Sequence, residues 1–258
     1  MKGLNPTATT AGVRIVAHDV LGSTNAEALR LAGENERGPL WVVTARQTAG
    51  RGRRGRTWIS QPGNLYASLL LTDPAPAALW PQLSFVAALA VHDAVIAVAP
   101  HLKSQIALKW PNDLLLAGAK FAGILIEGSR TSSVGTVVIG IGVNCASHPV
   151  ETEYPATHLA GVAPDRLLDL LSAKMLDRLA QWSCGEGFSA VRADWLARAA
   201  GLGEELRVRL ANREITGRFE ALDETGGLVL RQGDGGAATI AAGDVFLAAA
   251  GASAAGAR

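Results

Sequence analysis

The run Gly50 to Leu71, GRGRRGRTWISQPGNLYASLLL, decides between two folds. Gly50, Gly52 and Gly55 have the G-x-G-x-x-G spacing of a dinucleotide-binding turn, which must open a helix whose N-terminus meets the pyrophosphate. The chain instead passes through a Pro-Gly turn into LYASLLL, a strand-like run, so no crossover helix completes a parallel βαβ unit. No G-x-x-x-x-G-K-[ST] phosphate loop occurs anywhere in the chain. The run is therefore a glycine-punctuated basic loop leading into a strand. Arg46, Arg51, Arg53, Arg54 and Arg56 lie in a stretch with no acid between Glu36 and Asp73, although the net charge of the chain is only +1. Guanidinium forks on a backbone free to adopt positive φ suit a polyanion approached at close range, nucleotide phosphate first.

Working outward, β-branched and apolar runs alternate with helical patterns. RIVAHDV, WVVTARQ and LYASLLL read as strands, with the helical NAEALRLAG between the first two, and Trp80 to Ala99 as a buried Ala-rich helix. IALKW, DLLLAG, KFAGILIEGS and TVVIGIGVN come next as four strands joined by turns short enough for hairpins. Residues 164 to 200 read as two helices, opened by Pro164 or Asp165 and separated near Gly185 to Gly187. From Gly203 the runs ELRVRL, REITGRFEALD, GLVLRQ and ATIAAGDVFLA, with Gly-Gly punctuation, predict a small antiparallel barrel. The expectation is an α+β protein with a mixed, largely antiparallel sheet over 12–202 and a second domain over 203–250. The ends 1–11 and 251–258 are unpatterned and expected to be disordered.

Composition sets limits on function. With 258 residues, 48% of them hydrophobic, the chain can bury one large core and a small second one. No uninterrupted apolar run reaches about 18 residues and MKGLNPTATT lacks a signal-peptide core, so a cytoplasmic protein that neither crosses nor binds a membrane is expected. Cys145 and Cys184 have no paired spacing, and the five histidines show no metal-ligand spacing. Near-neutral charge and the lack of a helix-turn-helix pattern before the first strand argue against DNA binding.

A second constellation lies in KWPNDLLLAGAK, which brings Lys109, Asn112, Asp113 and Lys120 close together across a strand, turn and strand. Taken in order, GRGRRGRTW, KWPNDLLL, KFAGILIE and GIGVN, with Ser23-Thr24-Asn25 and Gln47 ahead of them, resemble the biotin protein ligases over about residues 13 to 145. The resemblance implies a catalytic domain like that of class II aminoacyl-tRNA synthetases with an SH3-like C-terminal barrel. It implies two steps: biotin attacks the α-phosphate of ATP to give biotinyl-AMP and pyrophosphate, and a lysine of a carrier protein then attacks that anhydride. ATP and biotin are the implied substrates, with Mg²⁺. The implied partner is the biotin carboxyl carrier protein of acetyl-CoA carboxylase, and other biotin-dependent carboxylases. Only about a dozen residues precede the first strand, so a ligase without a repressor module is expected.

The resemblance also implies residue roles. Ser23, Thr24, Asn25, Gln47, Arg51, Gly52, Arg53, Lys120 and Gly123 are expected to hold biotin, and Lys120, Arg53 and Asp113 to act in catalysis. Arg54, Arg56, Trp58, Lys109, Asn112 and Asn144 are expected on the ATP or adenylate side, with Asp113 a ligand for Mg²⁺ or a guide for the incoming lysine. The chemistry fits independently, because joining a carboxylate to a phosphate needs cations, and a ureido ring needs neutral donors and acceptors. Several positions keep a plainer reading. Thr24 and Glu27 form a T-x-x-E capping box, Trp58 suits a half-buried core, Asp113 suits a Pro-Asn-Asp turn, and Gly140 and Gly142 suit bulges. Phe121 stands where family members more often have leucine, an apolar exchange. Residues 50 to 58 are expected to be mobile and to close over ligand. An exposed edge strand would allow a homodimer. Two rival functions remain: a lipoate-protein ligase, whose group lacks the GRGRRGR run, and an arginine-loop RNA-binding module.

Overall fold

The structure, a computed structural model, describes residues 3–130 and 134–247; the tail 251–258 lies outside them. Seven strands make the main sheet: β1 (Arg14–Leu21), β2 (Leu40–Gln47), β3 (Leu65–Thr72), β4 (Ile106–Lys109), β5 (Asp113–Leu116), β6 (Ala119–Arg130) and β7 (Gly135–Val143). Their order is β1-β2-β3-β7-β6-β5-β4, parallel only between β1 and β2. The hairpin expectation for β4 to β7 holds, and the mixed, largely antiparallel sheet is the observed one.

Strand parity sorts the side chains into two faces. Leu65, Ala67, Leu69 and Leu71 of β3, with Val137, Ile139 and Ile141 of β7, face a core made with the helices α3 (Leu83–Val98), α4 (Pro164–Trp182) and α5 (Phe188–Leu196). Leu70 and Val138 pack the other way, against Ala28 of α2 (Thr24–Gly33). On that second face the same parity places Ser68, Gly123, Leu125, Glu127, Gly140 and Gly142, which form and support the floor of a cleft. The helical stretch 77–98 is long and apolar enough to cross a membrane, but 72% of its most apolar window is buried within the molecule, and it serves as the core helix.

The C-terminal part is a five-stranded antiparallel sheet of β8 (Glu205–Arg209), β9 (Glu214–Leu222), β10 (Leu228–Arg231), β11 (Ala237–Ile240) and β12 (Asp244–Leu247), ordered β11-β10-β9-β8-β12. The run ATIAAGDVFLA supplies two of these strands, β11 and β12. Leu206, Val208, Phe219 and Leu230 join the same apolar cluster as the large core. Trp110 Nε1 donates to the Gly226 carbonyl at 2.9 Å, which ties the β9–β10 turn to the KWPND segment.

The N-terminal expectation is corrected. Residues Pro6–Thr10 form a short helix, α1, with Ala8 fully buried. Asn5 fastens it to α4, its N–H donating to Ser172 Oγ and its Nδ2 to Asp169 Oδ1, both at 3.0 Å. Alanine and threonine carry little periodic signal, so this docking was invisible in the sequence.

Candidate functional site

One cleft of about 400 Å³ collects nearly every residue singled out from the sequence: Ser23, Thr24, Asn25, Gln47, Arg51, Gly52, Arg53, Arg56, Trp58, Lys109, Asn112, Asp113, Lys120, Gly123 and Asn144. Arg46 and Arg54 are not among its lining residues, and Arg54 is the one of the two expected on the ATP side. Its guanidinium donates instead to the cleft-lining Asp244 Oδ2 at 3.0 Å.

At one end the cleft is neutral. Ser23, with extended backbone, is the N-cap of α2, and its hydroxyl accepts from the Ala26 N–H at 3.4 Å. This corrects the capping-box reading: Thr24 lies inside the helix and Glu27 pairs with Arg30 at 2.8 Å. Relieved of capping, the Thr24 hydroxyl contacts Gln47 Oε1 at 3.2 Å and Ser68 Oγ at 2.7 Å, while its N–H donates to Gln47 Oε1 at 2.9 Å. Ser68 also reaches Asn25 Oδ1 at 2.6 Å, and Asn25 Nδ2 donates to Glu127 Oε2 at 2.8 Å. Gln47 Nε2 continues to Ser60 Oγ at 3.0 Å. Thr24, Asn25, Ser60 and Ser68 are all buried, so this network is made by the protein itself.

The other end is charged. The bulge between β5 and β6 sets Lys120 opposite Leu115 and Ala122 opposite Leu114, leaving Phe121 as the extra residue, its side chain fully buried. Lys120 Nζ thereby reaches Asp113 Oδ1 at 2.5 Å, while Lys109 Nζ reaches Oδ2 of the same carboxylate at 3.2 Å. Burial alone would raise the Asp113 carboxyl, but the Lys120 and Lys109 ammoniums hold it below the usual carboxylate range. Lys109 also sits 4.3 Å above the centre of the Tyr154 ring. Burial, with Arg54 and Arg56 alongside, pushes Arg53 below the ordinary guanidinium range, outweighing Asp113 and Asp244; it remains charged at neutral pH. Arg53 Nη1 donates to Asn112 Oδ1 at 3.2 Å, and Asn112 Nδ2 to the Ile124 carbonyl at 2.6 Å.

The arginine loop itself is folded. Arg51 and Thr57 make a bridge around a single 3₁₀ turn, Arg53–Gly55, in which Arg54 and Gly55 have φ of 56° and 73°. Gly50 is packed so closely that a Cβ would lie 2.5 Å from the Trp58 carbonyl oxygen and 2.7 Å from Ser60 Oγ. Trp58 lies over the floor glycines: a Cβ at Gly142 would fall 2.6 Å from its ring and one at Gly123 3.0 Å away. Gly140 and Gly142 are thus paired strand residues with no bulge, left bare to make room for Asn25 and Trp58. Trp58 Nε1 and the Tyr154 hydroxyl are buried without a hydrogen-bond partner. Asn144 is a fixed corner: Nδ2 donates to the Thr157 carbonyl at 3.0 Å and the backbone carbonyl accepts from the Leu159 N–H at 2.8 Å.

Four acids and a tyrosine complete the site and were not singled out from the sequence. Asp244, on β12, accepts from Arg54 at 3.0 Å and Arg56 at 2.5 Å, with Arg209 at 3.7 Å. Burial would raise its carboxyl, but Arg56, Arg54 and Arg209 hold it low. Glu153 pairs with Arg209 at 2.6 Å and approaches Arg56 at 3.9 Å; Glu151 lines the cleft beside it. Glu127 takes Arg51 at 3.2 Å. Tyr154, its hydroxyl held neutral by burial and by Asp244 and Glu153, packs on Phe246. The available signal was a lone acid on an otherwise apolar strand, in KFAGILIE and GDVFLA.

The Mg²⁺ role for Asp113 does not fit. Both of its oxygens are taken by ammonium groups, which would repel a dication, and no cluster of three or more His, Cys, Asp or Glu suited to a metal occurs among the described residues.

Comparison with known proteins bears on the same residues. Residues 19–144 match the biotin/lipoate A/B protein ligase family, and residues 201–248 match the biotin protein ligase C terminal domain. A biotin–[acetyl-CoA-carboxylase] ligase of Paracoccus denitrificans is 44% identical over 236 residues, covering 87% of this chain and 96% of that protein. The ligase of the same name from Mycobacterium tuberculosis is 36% identical over 237 residues, covering 87% and 85%. The biotin protein ligase of Aquifex aeolicus, solved in complex with biotin and ATP, superposes with a TM-score of 0.76 at 29% identity, covering 90% of this chain and 97% of that one.

Proposed function

The chain belongs to the biotin/lipoate A/B protein ligase family, and from that premise we propose that it is a biotin protein ligase acting through the cleft described above. It activates biotin with ATP and transfers the biotinyl group to a lysine of the carboxyl carrier protein of acetyl-CoA carboxylase. The observation that carries this reading is the polarity of the cleft: an end lined by neutral, hydrogen-bonded side chains and a cationic end, joined over a glycine floor.

The neutral end, with Thr24, Asn25 and Gln47, holds the ureido ring, which is uncharged and offers both donors and an acceptor. The valeryl chain runs over Gly123 and Gly142 beneath Trp58. Its carboxylate reaches the basic end, where Lys120, Arg53 and Arg51 offset repulsion between carboxylate and triphosphate. A carboxylate oxygen bonds to the α-phosphorus as the bond to pyrophosphate breaks, and the charge on the phosphoryl oxygens is stabilised by these cations. In the second step the carrier lysine nitrogen attacks the biotinyl carbonyl, AMP leaves with the bonding pair, and the amine loses a proton. Asp113 serves to aim Lys109 and Lys120.

The ATP side includes Arg56, Lys109, Asn112 and Asn144. Trp58 is better placed over the acyl chain than beside adenine, because its ring is seated on the floor glycines. The rival lipoate chemistry would require the neutral end to accept a dithiolane, which leaves its buried polar groups unmatched. Purified protein with ATP, Mg²⁺, biotin and a carrier domain should yield biotinylated carrier by mass spectrometry. Reaction with lipoate and not biotin would overturn the proposal.

A further inference from the structure

Hydrogens in the neutral end of the cleft can be counted, and the count is one short. Glu127 Oε2, paired with Arg51, has only lone pairs to offer, so Asn25 turns Nδ2 toward it at 2.8 Å, with the Leu125 carbonyl a weaker acceptor at 3.4 Å. Asn25 Oδ1 therefore faces Ser68, and because that oxygen carries no hydrogen, the 2.6 Å contact uses the single hydrogen of the Ser68 hydroxyl. The 2.7 Å contact between Ser68 and Thr24 must then be made with the Thr24 hydrogen.

The opposite end of the network is fixed as firmly. The Trp58 carbonyl takes the Ser60 hydrogen at 3.0 Å, so Ser60 Oγ receives Gln47 Nε2 and Gln47 presents Oε1 to Thr24. That oxygen accepts the Thr24 N–H at 2.9 Å and lies 3.2 Å from Thr24 Oγ1, where a second hydrogen is wanted. One hydroxyl hydrogen has two claimants. The Ser68 contact is the shorter, and Ser68 is fully buried, so no water can substitute there.

We propose that Glu127 and Ser68, neither of which lines the cleft, are positioning residues that fix the hydrogen-bond polarity of the Thr24 and Gln47 pair. Two neighbouring oxygens are thereby left to select a ligand ring N–H. The inference rests on the reading of the cleft as a biotin site, whose cyclic urea supplies such a donor. It makes the discrimination a matter of hydrogen polarity set from behind the cleft wall.

The test is steady-state kinetics of the full chain with biotin, ATP and carrier. Glu127→Leu removes the acceptor and should raise the KM for biotin about tenfold; because it also releases Arg51, it is in Ser68→Ala that the KM for ATP and the kcat at saturating biotin should stay within about twofold. Glu127→Gln keeps an acceptor oxygen for Asn25 and should stay within about threefold of the wild type. Ser68→Ala breaks the relay with the Glu127 to Arg51 pair intact; it should show the same biotin-selective loss and should also narrow the preference for biotin over biotin methylated on a ureido nitrogen. If Glu127→Leu does not fold, Ser68→Ala decides alone. An unchanged biotin KM in Ser68→Ala, or equal impairment of the Gln and Leu variants, overturns the proposal. Failure of the underlying biotin reading would look different, since the wild type itself would leave the carrier unmodified.

Discussion

The two ends of the cleft are built in opposite ways. At the neutral end, Thr24, Asn25, Ser60 and Ser68 are buried, Gln47 and Glu127 are half-buried, and the hydrogen bonds are uncharged apart from those to one carboxylate. At the cationic end, the side chains are longer and partly exposed, and their counter-charges come from elsewhere in the chain: Asp113 from β5, Glu153 from a loop, Asp244 from the C-terminal sheet. A neutral ring can be met by a finished surface. A polyanion cannot, because a cluster of bare cations would repel itself; carboxylates hold the cations in place and give way to phosphate. The difference teaches that the neutral end is closed by hydrogen bonds that involve no residue of the C-terminal sheet, whereas the cationic end draws a counter-charge, Asp244, from it.

Substitutions can break this contrast. Lys120→Ala should have the largest effect, lowering the rate of biotin-dependent ATP–pyrophosphate exchange by about 10²- to 10³-fold because a charge aimed at the reacting phosphate is lost. Exchange within a few-fold of the wild type would remove Lys120 from the chemistry. Next, Gly140→Ala places a methyl group 2.2 Å from Asn25 Oδ1 and should weaken biotin binding in calorimetry by about tenfold or more while sparing ATP. Equal losses for both ligands would mean that the two ends are not independent.

Asp244→Asn should have a smaller effect. It frees Arg54 and Arg56 from their shared carboxylate, so cleavage by trypsin within residues 53 to 56 should speed up about two- to fivefold, with biotin affinity unchanged. Identical digestion rates would separate the loop from the C-terminal sheet. The smallest effect is one of pH. Asp113 and Asp244 both have carboxyls held below the usual range, so their contribution to stability is complete above about pH 4 and is lost only as the pH falls through the depressed folded values. Thermal unfolding should therefore show no dependence from these two groups between pH 8 and 5. A slope in that window that Asp244→Asn abolishes would contradict the assignment.

Much of the site was legible because its chemistry is dense in short motifs. Lys109, Asn112, Asp113 and Lys120 fall together across one hairpin, and residues of the arginine loop are neighbours in sequence. The local T-x-x-E pattern offers Thr24 as a cap beside its ligand-binding reading, yet it is the adjacent Ser23 that has the extended backbone capping needs. Arg54 is grouped with its neighbours in the sequence, but its backbone is left-handed and its guanidinium is engaged by Asp244. Asp113 looked available for a metal until two lysines were found on it.

Period-two alternation, hairpin-length turns and glycine punctuation determined the sheet order of β4 to β7, the basic loop and the separate C-terminal sheet from the sequence alone. These are local signals, set by backbone sterics and side-chain parity. Which carboxylate answers which cation was decided only in three dimensions. Asp244 meets Arg56 across 188 positions of chain, and Glu127 meets Arg51 across 76. Charge pairing depends on distance in space, which no local pattern encodes, so the cations of this cleft could be read from the sequence and their partners could not.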